Sequence, residues 1–123
     1  MIVITRRNLI ALIATAAIAP LSGCSEEDKI PPNTSKEEYS VGCEALDLID
    51  EALDKNELFS DEFKTKLSTI CVKARDANNH DCSNDEEIMY SIQCVAAYLA
   101  LNNGDDALDA IDDLRYALGK EDY

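Results

Sequence analysis

The chain has 123 residues, and its 25 acidic against 11 basic residues give a formal net charge of −14 at pH 7. This length fits one domain of ordinary size. So large a negative charge argues against direct binding to nucleic acid or to an anionic lipid surface, because such binding depends on clusters of Lys and Arg.

The chain opens on a targeting segment. Residues 1–23 contain no Asp or Glu, and Arg6 and Arg7 precede the apolar run NLIALIATAAIAP. A membrane span needs about 20 apolar residues, so this run is too short to be one. A basic start, a short apolar stretch and then small residues are typical of an export signal peptide, which is removed from the mature protein.

The end of this segment, Leu21-Ser22-Gly23-Cys24, resembles the lipobox of bacterial lipoproteins. The resemblance implies cleavage before Cys24, acylation of its thiol with palmitate-type chains, and membrane attachment by two or three chains, which is enough for stable anchoring. Ser25 follows where an Asp would signal retention, so we expect the periplasmic face of the outer membrane. In a cell with one membrane, the outer face of that membrane is the alternative.

A second resemblance lies at the start of the signal. Thr5-Arg6-Arg7-Asn8-Leu9-Ile10 is similar to the opening of a twin-arginine signal, which the export machinery reads as an address. Secretory signals also contain adjacent arginines, so the general secretory and twin-arginine routes both remain open.

Cleavage before Cys24 would remove two of the eleven basic residues and none of the acidic ones, so the mature chain would carry a formal charge of −16. The segment 24–37 is polar and contains Pro31-Pro32. We interpret it as the lipidated Cys24 followed by a flexible tether. Residues 38–123 are then the folded, helical domain.

The domain shows the apolar spacing of helices and no alternating pattern typical of strands. Helices are predicted from about Ser35 to Lys55, from Ser60 to Ala77, over 86–101, and from Asp105 to Leu118. Capping boxes are expected at Ser35 with Glu38 and over residues 83–86, Ser60 is expected to cap the second helix, and Asn103-Gly104 to end the third. The apolar residues expected to face inward are Tyr39, Cys43, Leu46, Ile49, Leu53, Phe63, Leu67, Ile70, Ala74, Ala107, Leu108, Ile111, Leu114 and Leu118.

Four cysteines remain in the mature chain: Cys43, Cys71, Cys82 and Cys94. An even number in a small exported domain predicts two disulfides. Cys82 and Cys94 are separated by about 17 Å along the third helix, too far for a bridge. We favour Cys71–Cys94 with Cys43–Cys82, and Cys43–Cys94 with Cys71–Cys82 is the alternative. No CxxC or HxxxH pair is present near His80, so we expect neither a metal ion nor another cofactor.

The predicted fold class is therefore all-α: a small bundle or stacked hairpins of about four antiparallel helices, stapled by two disulfides. Residues 94–114, CVAAYLALNNGDDALDAIDDL, resemble the middle of a tetratricopeptide helix pair, with Tyr98, Ala107 and Ile111 at its packing positions. That resemblance implies stacked helical hairpins, and no second copy of the pattern follows.

Motifs for catalysis are absent from the sequence. His80 is the only histidine, no glycine-rich phosphate loop is present, and no carboxylate pair stands out among so many. Asp76, Asn78, Asn84 and Glu87 match ligand positions 1, 3, 9 and 12 of a calcium loop, but Asp81 replaces its glycine. We expect a polar turn there, with calcium binding by 76–87 left open, and no enzymatic activity.

The function these features favour is a non-enzymatic protein-binding module tethered to the cell envelope. An immunity or inhibitor lipoprotein that neutralises a basic periplasmic toxin or hydrolase is the alternative, argued from its class. In both cases the expected partner is a basic protein rather than nucleic acid. The expected partner face consists of the acidic residues of the first and fourth helices: Asp47, Asp50, Glu51, Asp54, Asp105, Asp106, Asp109, Asp112 and Asp113.

Overall fold

A computed structural model describes residues 30–120, so the export segment and Cys24 lie outside the described residues. Within that range all regular secondary structure is helical, without strands, which confirms the predicted all-α class. The four helices are α1 (Lys36–Asp54), α2 (Asp61–Ala77), α3 (Ser83–Ala100) and α4 (Gly104–Ala117).

Each helix packs against its neighbours in the chain, and α1 also packs against α3 and α4. The most extensive contact is between α3 and α4. Short connections make successive helices antiparallel. The helices α1 and α3 therefore occupy the middle of the bundle, with α2 and α4 on opposite sides.

This arrangement gives the bundle two distinct ends. The proximal end contains the starts of α1 and α3 and the ends of α2 and α4. There the Asn84 side chain donates hydrogen bonds to Thr34 Oγ1 at 2.9 Å and to the Ala117 carbonyl at 2.8 Å. The Asn84 backbone N–H also donates to the Asn33 carbonyl. Residues of the predicted tether are thus held against α3 before α1 begins. The distal end contains the other four helix termini.

Serine caps begin the first two helices as predicted. Ser35 Oγ accepts a hydrogen bond from the backbone N–H of Glu38, and Ser60 Oγ accepts one from that of Phe63, both at 3.1 Å. Each bond satisfies one of the donors that a helix start leaves without a partner. The Glu38 side chain does not complete the predicted capping box.

The start of α3 and the turn after it differ from prediction. Cys82 is the N-cap of α3 and makes no side-chain capping bond, so the predicted box over 83–86 is wrong. The left-handed residue after α3 is Asn102, at φ 58°. Asn103 instead caps α4 by accepting from the Asp106 N–H, and Gly104 is the first residue of α4.

The predicted core is largely confirmed. Phe63, Leu67, Ile70 and Ala74 of α2 are all buried, as are the apolar residues expected of α4 except Leu108. Leu108 is 45% exposed, and Leu53 of α1 is only partly buried. No helix among residues 30–120 is long and apolar enough to span a bilayer.

The predicted disulfides are wrong, because all four cysteines of the described chain are thiols with no bridge between them. Cys71 Sγ lies 4.0 Å from the carbonyl oxygen of Ile92 and donates to it. Cys94 comes two residues later, about 200° around α3. Its side chain therefore leaves the helix on the side away from Cys71.

Cys43 and Cys82 are separated along the bundle. Cys43 is 2% exposed and lies about 12 Å along α1 from Ser35. Cys82 stands at the proximal end, where Ser35 bonds Asp85. A bridge needs Cα atoms within about 7 Å, so Cys43 and Cys82 cannot pair. The predicted alternative, Cys43–Cys94 with Cys71–Cys82, is also wrong, because no bridge joins these thiols.

Candidate functional site

A buried carboxyl group ties the proximal end together. Asp85 is fully buried in the first turn of α3. Its Oδ1 accepts from the Ser35 backbone N–H at 2.8 Å, and its Oδ2 accepts from Ser35 Oγ at 2.6 Å and from the Asn79 N–H at 3.0 Å. One side chain thus joins the start of α1, the α2–α3 connection and α3.

Glu38 is a second buried carboxyl group beside this network. In a capping box it would accept from the Ser35 N–H, but Asp85 occupies that donor. Both Glu38 carboxyl oxygens are buried without a hydrogen-bond partner. Burial, and secondarily the nearby charge of Asp85, raises the pKa of Glu38 to about 8. At neutral pH this carboxyl group is therefore mostly protonated.

We predict that Glu38 makes the domain less stable as the pH rises. Below about pH 4.5 the group is protonated in both folded and unfolded chains and has no effect. Above it the unfolded chain loses the proton first, and the penalty grows until the pH passes about 8. Glu38→Gln, a neutral isostere, should therefore be more stable than the parent by a few kcal/mol at pH 8 and equal to it near pH 4.

Denaturant melts across this pH range measure the effect. Glu37→Gln is the matched control, because Glu37 precedes Glu38 in the same helical turn but is exposed. It should leave the pH dependence of the unfolding free energy close to that of the parent. Parallel pH profiles for Glu38→Gln and the parent would contradict the buried-carboxyl assignment.

The acidic residues predicted as a partner face are all exposed on α1 and α4. We call these nine residues the acidic surface. Arg115 of α4 contacts Asp50 of α1 at 2.7 Å between Nη2 and Oδ1, so the acidic sides of the two helices adjoin. One basic side chain lies between many carboxylates, and the surface as a whole is strongly negative.

An open groove of about 430 Å³ lies between α1 and α2. Glu44 of α1 and Lys73 of α2 form an ion pair of 3.0 Å along it. Its walls carry charges of both signs, so they favour neither cations nor anions. The lining residues are Glu44, Asp47, Leu48, Glu51, Lys66, Thr69, Ile70 and Lys73.

The region compared with a calcium loop is not a continuous loop. Helix α2 continues through Asp76 to Ala77, and α3 starts at Ser83, which leaves five residues between them. Across residues 30–120, no three His, Cys, Asp or Glu side chains are grouped as metal ligands. His80 is exposed in the connection.

Two of the thiols, those of Cys71 and Cys82, are poor nucleophiles. Burial raises the pKa of the Cys71 thiol. Partial burial, followed by the charges of Asp85 and Asp81, raises the pKa of Cys82. Both shifts favour the protonated thiol, whereas the thiolate is the reactive form.

Of the residues at the packing positions of the tetratricopeptide-like pair, Ala107 and Ile111 are fully buried, and Tyr98 is partly buried against the core.

Comparison of the chain with protein-family models, with curated proteins and with solved structures finds no match.

Proposed function

We propose that the protein is a bacterial envelope lipoprotein, anchored through Cys24, whose helical domain binds a basic protein partner without catalysing a reaction. The lipobox Leu21-Ser22-Gly23-Cys24 and the export signal before it support the anchor. Ser25 after the anchor favours the periplasmic face of the outer membrane, and the outer face of a single membrane is the alternative.

The acidic surface is the observation that carries the binding half of the proposal. Carboxylates from two helices adjoin across the Asp50–Arg115 pair, so a partner would meet a continuous negative field rather than scattered charges. Complementary fields of this kind accelerate encounter and select partners by charge. A basic protein is the class of partner that such a surface favours.

Capture from an envelope extract of the native organism tests this proposal. The bait is the chain from residue 24 onward with Cys24→Ser, and captured proteins are identified by mass spectrometry. Replacing Asp109 and Asp112 by Asn removes two charges from the centre of the α4 part of the acidic surface. We expect this pair to weaken binding of the main partner about tenfold, with a loss that shrinks as salt is raised.

The matched control is Asp76→Asn with Glu87→Gln, which removes the same charge at exposed positions outside the acidic surface. It should change the affinity less than about twofold. Equal losses for both pairs would contradict a defined partner surface. A basic secreted enzyme as the partner would make the protein an inhibitor, and an envelope assembly protein would make it an adaptor.

A further inference from the structure

Three large apolar side chains lie exposed at the distal end: Phe59 at 46%, Leu101 at 73% and Leu108 at 45% exposure. We call these three residues the apolar end patch. Phe59 belongs to the α1–α2 connection, Leu101 ends α3, and Leu108 lies on α4. Three separate segments of the chain thus contribute to one end of the bundle.

Gly104 brings these segments together. The Phe59 ring atom Cζ lies only 3.4 Å from the place where a Cβ of residue 104 would be, so the ring covers the start of α4. Leu108 follows Gly104 by one helical turn and projects from the same side of α4. Leu101 precedes Gly104 by a single short turn. Gly104 thus links Phe59 to the start of α4, and Leu101 and Leu108 flank it along the chain.

Carboxylates surround the patch on α4. Asp105, Asp109 and Asp112 are exposed and lie one position or one turn away from Leu108. These three residues also belong to the acidic surface, so the apolar end patch and the acidic surface are continuous. Apolar side chains at the centre and charges at the rim are the usual anatomy of a protein-binding surface.

Charge complementarity indicates what would cover the patch. A second copy of the chain would bring its own carboxylates against these, and like charges in contact oppose association. A partner segment with apolar side chains on one side and Lys or Arg beside them satisfies both parts of the surface. An amphipathic basic helix has this pattern, and helices commonly bind in this way.

The patch also lies at the end opposite the start of the domain. Residues 30–35 enter at the proximal end, where Ser35 and Asn84 hold them against α3 and α4. The helix α1 separates the ends by about 28 Å. A domain anchored through Cys24 would thus present the patch away from its attachment point.

We infer that the apolar end patch is the contact point for a basic amphipathic helix of a partner protein. Apolar side chains of that helix cover Phe59, Leu101 and Leu108, and its Lys or Arg side chains face Asp105, Asp109 and Asp112. This inference rests on the proposed function, and it defines which part of the domain the partner contacts.

The probe is a synthetic helical peptide of about 14 residues made of Leu and Lys, with Leu on one side. It is titrated by fluorescence anisotropy against the chain from residue 24 onward with Cys24→Ser. Leu101→Ser combined with Leu108→Ser should weaken binding about tenfold or more, because anchor side chains at the centre of an interface dominate affinity. These residues are exposed, and circular dichroism melts establish that the variant remains folded.

Val72→Ser is the matched control, because Val72 on α2 is 45% exposed, as is Leu108, but lies away from the patch. It should leave the affinity within about twofold. A peptide with every Leu replaced by Ser keeps the charge and should bind much more weakly than the Leu–Lys peptide.

The possible results distinguish failure of this inference from failure of the proposed function. If the Leu–Lys peptide binds the parent and the patch variant with the same salt-sensitive affinity, that result overturns this inference alone. Failure of both peptides to bind, together with no basic partner in the capture experiment, overturns the proposed function as well. If sedimentation shows that the parent is a dimer and the patch variant a monomer, the patch binds a second copy of the chain. That result overturns the inference.

Discussion

Replacing Asp85 by Ala is expected to lower the free energy of unfolding by about 4 kcal/mol. The change removes the acceptor of three hydrogen bonds, two of them donated by the partly buried backbone N–H groups of Ser35 and Asn79, which are left without this partner. Each such group costs about 1–3 kcal/mol. Because Glu38 is mostly protonated at neutral pH, removal of the Asp85 charge offsets little of this loss.

Denaturant melts of the Asp85→Ala variant measure this cost. Glu86→Ala is the matched control, since Glu86 is exposed in the same first turn of α3 and its charge has a similar relation to the helix dipole. The control should lose less than about 1 kcal/mol. Equal losses in the two variants would mean that Asp85 acts through the dipole and not through its hydrogen bonds.

Replacing Gly42 by Val is expected to destabilise the domain by about 3 kcal/mol, because α1 approaches its neighbours closely at this position. A Cβ at residue 42 would lie 2.7 Å from Leu118 Cδ2 and 3.0 Å from Ile88 Cγ2. Leu118 and Ile88 are fully buried, so neither side chain has room to move aside. Gly42→Ala should cost less, since its helix propensity offsets about 1 kcal/mol.

Gly104→Ala is the control for this prediction. Its Cβ would meet the Phe59 ring at 3.4 Å, a distance that requires only a small movement of a side chain that is 46% exposed. Thermal melts should show a clear drop for Gly42→Val and little change for Gly104→Ala. A Gly42→Val variant as stable as the parent would mean that α1 does not pack as closely as described.

Local signals predicted the helices well. Ser35 and Ser60 cap α1 and α2 as expected, because an N-cap depends on residues within one turn. The apolar spacing of Phe63, Leu67 and Ile70 identified the buried side of α2 for a similar reason. Where a single apolar residue lies at the border of a helix face, as Leu108 does, spacing alone did not indicate its exposure.

The buried carboxyl groups were missed, although the sequence contains a signal for them. Asp85 lies three residues before Ile88 and seven before Ile92, and both isoleucines are buried. Glu38 lies four residues before Gly42, which is also buried. Extending the spacing of the buried residues in each helix by one turn towards its N-terminus therefore puts Asp85 and Glu38 on the buried side. Their charge made them look like the exposed acids around them.

The cysteine prediction failed for a geometric reason. The number of cysteines indicates which chemistry is available, but pairing depends on the direction in which each side chain leaves its helix. Cys71 contacts α3 at Ile92, and the helical rotation from there to residue 94 separates the two thiols. Cys71 and Cys94 are about equally distant along the chain from the end of the connection between α2 and α3, but this spacing does not show the direction of each side chain.

The most direct test of the lipid anchor is the intact mass of the protein isolated from membranes of the native organism. We expect a chain that begins at Cys24 and carries the added mass of a lipid, and we expect Cys24→Ser to release the protein from the membrane fraction. A soluble chain with an unmodified Cys24, or a chain cleaved at another position, would contradict the proposed anchor.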